Sequence, residues 1–217
     1  MKGFVNCLYT INGNVFILLG VICYLLVRII SIGMKNKKGV NWWKELISFL
    51  FAIYIGMVVA VTLFPIPIGF SASIEHIRLS INVIPFVSII KDIGKIGIAY
   101  DGDVLFMIGI IVRNVGGNIL LLMPLGFLAP IIWDKFKELK NTILLGLVIS
   151  ISIELLQLME SLFSRWGRIT DIDDVICNVI GSIAGYFIYK ITLMLASKFN
   201  FRVLNKTNPK GIELTEK

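Results

Sequence analysis

Hydrophobic positions along this chain gather in five long runs separated by short charged blocks. Residues 11–32 are apolar apart from Arg28 near one end. Residues 46–64 and 116–133 hold no charge, and residues 141–159 are interrupted only by Glu154. Residues 175–189 form the fifth run, continued past Lys190 by residues 191–196. Runs of this length span about 30 Å of hydrocarbon at about 1.5 Å per residue. The pattern predicts an all-α, polytopic membrane bundle with about five transmembrane helices. The first run has only Lys2 before it and no small-residue cleavage site, so it reads as a retained helix.

The connection from residue 65 to 112 breaks the pattern. Pro65, Pro67 and Gly69 stop the second helix. Within residues 86–97, Phe86, Ile89, Ile90, Ile93 and Ile96 recur at helical spacing, while Ser88, Lys91, Asp92 and Lys95 take the other face. This predicts an amphipathic helix lying in the outer interface or packed on the bundle. Residues 100–103 read as a turn. Residues 104–112 are apolar but too short to span alone; they either lengthen the third helix or pack as a re-entrant piece before Gly116-Gly117.

Composition narrows the class further. The chain is 57% hydrophobic and 16% charged, with a mean hydropathy of +0.87. Soluble domains average about 45–50% and about 25%, so a soluble enzyme, a disordered chain and a disulfide scaffold are excluded. Cys7, Cys23 and Cys177 show no metal-knuckle spacing. The net charge of +7 is an orientation signal. With the N-terminus outside and the C-terminus inside, the inner side nets +9 and the outer side −2, as the positive-inside rule requires. Trp42, Trp43 and Trp133 then fall at the inner interface and Trp166 at the outer one. The chain divides into an N-terminal helix with a basic cytoplasmic loop (1–45), a membrane domain (46–197) and a basic cytoplasmic tail (198–217).

Polar residues inside the runs share one depth. Glu154 and Gln157 lie one turn apart on one face. Arg113 and Asn114 stand just outside the third run, with Asn118 a turn below. Asp174 and Asn178 open the last helix, after a loop carrying Arg165, Arg168, Asp171 and Asp173. An ionisable group in a membrane costs about 2.5–3.5 kcal/mol on insertion scales, so such a slab needs partners, water or a function. A structural reading pairs Glu154 with Arg113 or Arg168 and lets the asparagines bond across helices. Gly181-x-x-x-Gly185 reads as helix packing, and Gly116, Gly117 and Gly126 read similarly. Asp171 and Asp174 are weak candidates for a hard cation, since carboxylates at a helix start also suit its dipole. His76 has no second ligand. No phosphate loop, nucleophile elbow or HExxH motif is present, so no cofactor is expected, and the topology leaves no room for a nucleic-acid reader.

Three polar blocks carry a family resemblance. Asn82-Val-Ile-Pro85-Phe86 resembles the NxxPF element of the VanZ-like family. Arg113-Asn114-x-x-x-Asn118, followed by Met123-Pro124-Leu125-Gly126, resembles its second block. Glu154-x-x-Gln157, then Arg168-x-x-Asp171-x-x-Asp174 and Asn178-x-x-Gly181-x-x-x-Gly185, resembles its third. The resemblance implies a small integral protein of the bacterial cytoplasmic membrane, with the VanZ-like domain at 46–197. The family takes its name from a member that raises resistance to teicoplanin. It also marks Asn82, Arg113, Asn114, Asn118, Glu154, Gln157, Arg168, Asp171, Asp174 and Asn178 as candidate ligand-binding residues.

Three functions compete. In the first, the slab binds a lipid headgroup, a lipid-linked cell-wall precursor or a lipophilic glycopeptide antibiotic, Arg113 and Arg168 meeting phosphate or carboxylate while Glu154 and Asp174 orient them. The second is a membrane enzyme acting on a lipid-linked substrate, with Glu154 and Asp174 in acid–base or metal-ligand roles. The third is a scaffold whose slab only assembles the bundle.

Overall fold

All five apolar runs are helical. The computed structural model describes residues 9–11, 13–34, 42–64, 66–68, 81–163 and 169–198. Among them are six α-helices: α1 (Gly13–Met34), α2 (Trp42–Leu63), α3 (Val87–Gly94), α4 (Val104–Ile132), α5 (Leu139–Phe163) and α6 (Ile172–Lys198). All except α3 are long and apolar enough to cross a membrane. Four very short strands accompany them. β1 (Tyr9–Ile11) pairs antiparallel with β2 (Ile66–Ile68), and β3 (Ile81–Asn82) pairs parallel with β4 (Thr170–Asp171). Arg78, His76, Arg165, Arg168 and the tail beyond Lys198 lie outside the described residues.

The third helix takes the longer of its two expected forms. Residues 104–112 belong to it, making α4 a continuous helix of 29 residues, about 43 Å long. Asp103 sets its start by accepting a hydrogen bond from the Phe106 amide at 2.9 Å. Gly116-Gly117 does not interrupt it, because a helical glycine costs only about 1 kcal/mol. Arg113 and Asn114 therefore lie well inside α4, not beyond its end. Pro124 and Pro130 also stand within the helix. Pro124 leaves the Leu120 carbonyl without its helical donor, and one residue on, the Tyr54 hydroxyl donates to the Leu121 carbonyl at 2.7 Å.

Lipid tails are as apolar as leucine, so close packing rather than hydrophobicity must hold such helices together. The tightest contact runs between α4 and α6, which point the same way along the bundle. A Cβ added to Gly181 would sit 1.9 Å from the Ile119 carbonyl oxygen, and one on Gly185 would sit 1.9 Å from that of Met123. From the other side, a Cβ on Gly126 would meet the Ser182 carbonyl at 1.9 Å. Gly146 of α5 brings a third helix against the Ser182 side chain. Gly116 and Gly117 have no such role, for nothing lies within 4 Å of a Cβ there. Tyr54 and Val58 of α2 close the core with Leu122, Leu125 and Ile153. Helix α1 packs chiefly on α2. The far end of this pair is joined by Arg28 and Glu45, and α1 turns Leu18, Leu19, Val27, Ile29 and Ile30 outward.

Overpacking a fitted interface costs about 1–3 kcal/mol, more where the neighbour is backbone. Gly181→Ala or Gly185→Ala should therefore lower the thermal midpoint of the detergent-purified protein by several degrees or abolish its accumulation. Gly116→Ala should leave the midpoint unchanged or slightly raised. Equal behaviour of the three variants in a thermal-shift series would contradict this frame.

Candidate functional site

At one end of the bundle the chain leaves regular helix and returns into it. Glu154 lies about 14 Å along α5 from its Phe163 end. Its side chain is 5% exposed, and its Oε2 accepts the backbone amide of Asp171 at 3.0 Å. The Thr170 hydroxyl reaches the Glu154 carbonyl at 3.5 Å. Strand β4 therefore sits at the level of Glu154, well below the end of the helix that precedes it. Non-helical backbone at such depth is tolerated only when protein or a water-lined cavity satisfies it.

Carboxylates provide that satisfaction. Asp171 Oδ1 accepts its neighbour's amide, Asp173 N, at 3.0 Å and the side-chain amide of Asn82 at 2.9 Å. Asn82 also donates to the Ser88 hydroxyl at 2.8 Å, and its oxygen accepts the Ile84 amide at 3.3 Å. Asp173 Oδ1 accepts the amide of Phe86 at 2.5 Å. Phe86 has φ 66°, the left-handed region, which costs a bulky residue about 1–2 kcal/mol; the hydrogen bond to Asp173 helps hold it there and starts α3. Asn118 of α4 donates to Asp174 of α6. Deeper still, the Asn178 amide donates to Ser150 at 3.0 Å; one turn nearer the end of α5 than Glu154, Gln157 donates to the Thr62 carbonyl at the end of α2 at 3.0 Å.

These contacts surround one cavity of about 810 Å³. Asn82, Arg113, Asn114, Asn118, Glu154, Gln157, Asp171, Asp174 and Asn178 all line it. The tenth candidate, Arg168, lies outside the described residues, so its pairing with Glu154 is not on view. Glu154 bonds a backbone amide. Asp171 and Asp174 spend oxygens on amide donors. Among the described residues no three acidic, histidine or cysteine side chains are arranged to share a metal ion.

Several wall residues were not among the ten. Asp173 is 3% exposed and lines the cavity, as do Thr62 and Cys177. Helix α3 spans only Val87–Gly94, and Ser88, Lys91 and Asp92, with Lys95 just after it, line the cavity too. The expected polar face exists but is a wall of the site. The apolar Ile90 and Ile93, on the other face, are exposed as well. Helical periodicity identified the two faces; only the tertiary pinning of Phe86 and Asn82 decides which way they turn. Lys95 pairs with Asp92 at 2.8 Å. Among the described residues Lys91 and Arg113 make no hydrogen bond or ion pair. Two buried oxygens on the cavity wall also lack a partner among them, Asp173 Oδ2 and Asn178 Oδ1.

A family model described as VanZ/LLP1 matches residues 51–194. The match covers all three polar blocks and every residue of the cavity named above. No curated protein and no solved structure gives a match.

Leaving a buried amide without an acceptor costs about 1–3 kcal/mol. Glu154→Ala should destabilise the protein by that amount, because the Asp171 amide loses its acceptor. Glu154→Gln keeps a carbonyl oxygen there and should cost distinctly less. Denaturation midpoints of the two variants against the parent measure the difference; equal losses would mean that Glu154 does not act as the acceptor.

Proposed function

The chain belongs to the VanZ/LLP1 family, and from that premise we propose that its polar cavity receives the headgroup of a membrane lipid or of a lipid-linked cell-wall precursor. The supporting observation is the convergence itself. Side chains from α2, β3, α3, α4, α5, β4 and α6 line one cavity at one end of a set of membrane-length helices. Arg113 presents a guanidinium fork without a protein partner among the described residues, and that fork suits phosphate or carboxylate. The charge split of +9 and −2 supports N-out, C-in insertion, and in that orientation the cavity would open on the outer side of the bacterial cytoplasmic membrane. A lipid-linked precursor or a lipophilic glycopeptide held there would alter susceptibility to teicoplanin-type antibiotics.

Binding is favoured over turnover by the state of the two residues an enzyme would use. Glu154 holds the Asp171 amide and Asp174 holds Asn118. Both are committed to the cavity walls.

A charge-assisted hydrogen bond is worth about 1.5–3 kcal/mol, or about tenfold and more in affinity. Arg113→Gln and Lys91→Gln should insert and accumulate like the parent. Each should retain co-purified lipid at least about tenfold less in native mass spectrometry and lose any shift in teicoplanin susceptibility. Undiminished lipid in both variants would sink the binding reading. Orientation has its own test in a cysteine-free background. Asp101→Cys should react with an impermeant maleimide on intact cells, and Lys140→Cys only after permeabilisation. The opposite result reverses the insertion.

A further inference from the structure

The cavity is electrically two-sided. Its cations, Lys91 and Lys95 beside α3 and Arg113 on α4, are exposed at its edge. Its carboxylates on α5, β4 and α6 are mostly buried, Asp173 at 3% and Glu154 at 5% exposure. Among the described lining residues five carboxylates face three cations. Asp92 pairs with Lys95, whereas Asp173, buried at 3% exposure, has no ion pair among the described residues. In surroundings of low dielectric that buried carboxylate calls for a cation rather than for water alone.

The unpartnered atoms agree. Asp173 uses Oδ1 for the Phe86 amide, yet Oδ2 has no donor. Asn178 uses its amide on Ser150, yet Oδ1 has no donor, at 1% exposure. Both side chains line the cavity. Both vacant groups are acceptors, and buried acceptors go unpaired at a cost unless a ligand brings donors. A group that is cationic and rich in N–H donors, such as a primary ammonium, meets both demands. The exposed edge asks for the opposite, since lysine and arginine together suit a phosphate.

We propose, building on the headgroup reading above, that the cavity selects an amine-bearing zwitterionic phospholipid. Its phosphate rests on Lys91, Lys95 and Arg113, and its primary ammonium points toward Asp173 and Asn178. The ligand is lipid-borne because the cations are flanked by exposed apolar residues. Ile90 and Ile93 on α3 and Leu105 and Phe106 on α4 stand outward, offering acyl chains a surface beside the charged edge. Choline carries methyl groups in place of N–H donors and cannot satisfy the two oxygens.

The test is competition on the full-length protein. Purified protein is exchanged in mixed micelles of phosphatidylethanolamine, phosphatidylcholine and phosphatidylglycerol with identical chains, and retained lipid is read by native mass spectrometry. Phosphatidylethanolamine should be retained over the other two by about tenfold, the value of one charge-assisted contact. Asp173→Asn keeps an oxygen for the Phe86 amide and should cut that preference to below about threefold. Lys91→Gln with Lys95→Gln, at two exposed positions, should weaken all three lipids while leaving the preference in place. Equal retention of the three lipids, or a preference for phosphatidylglycerol, would overturn the amine assignment and leave the headgroup reading standing. Retention of no lipid at all would end both. Soluble O-phosphoethanolamine should not displace the lipid at millimolar concentration; displacement would assign the site to a free solute and overturn the lipid part.

Discussion

The hydrogen bond from the Asp171 amide to Glu154 is the contact on which the polar end of this molecule depends. It holds a stretch of extended backbone about 14 Å along α5 from that helix's end. Backbone at this depth cannot turn to bulk water for its hydrogen bonds. The protein answers with carboxylates, which accept amide hydrogens and carry charge that keeps the space around them polar. Asp171 then anchors Asn82, Asn82 anchors Ser88, and Asp173 anchors Phe86. Two segments far apart in sequence are thereby paired as β3 and β4, and α3 is set against the cavity. Removing Glu154 would loosen the series at its deepest point.

A network of this kind works only on a rigid mount. The α4–α6 interface supplies it through glycines that let the two backbones touch. Gly181 and Gly185 lie on the same helix as Asp174 and Asn178. The close approach that locks the helices therefore also fixes where those polar groups stand. Asn118 and Asp174 meet across this same seam. Apolar packing in the middle of the bundle and polar chemistry at its end are thus parts of one interface. Further along α6, Tyr186 donates to the Lys137 carbonyl at 2.8 Å and joins that helix to the turn before α5.

How much of this was legible in the sequence follows from range. The helices came from local periodicity and length, and all five were found. The residues of the site came from the cost of burying charge, and nine of the ten are gathered on one cavity. What was not legible is non-local. Nothing near residue 104 tells that the chain is already helical nine residues before Arg113, because an apolar stretch of that length also suits a re-entrant piece. Gly116-Gly117 looks like Gly181 in sequence, yet only the latter meets a neighbouring backbone. Residues 81–82 and 170–171 are too short to announce strands. The direction in which α3 turns depends on Asp173, a residue 87 positions away from Phe86.

The site's surplus of acceptors favours the proposed binding cavity over a structural knot. A network selected only to tie helices together would end with its donors and acceptors matched, since each buried mismatch costs about 1–3 kcal/mol. Here the structural work is complete with oxygens to spare. Glu154, Asp171, Asp173 and Asp174 each hold a protein donor. After that work Asp173 Oδ2 and Asn178 Oδ1 remain buried and unpaired, while Lys91 and Arg113 stand at the edge without partners among the described residues. Donors and acceptors are thus left over on opposite sides of the same space. They do not approach each other to cancel, because the carboxylates are already fixed by backbone and side-chain amides and the cations sit on helices held by other contacts. A molecule with its own separated charges would close that gap, and the unsatisfied groups are the ground on which the ligand is proposed.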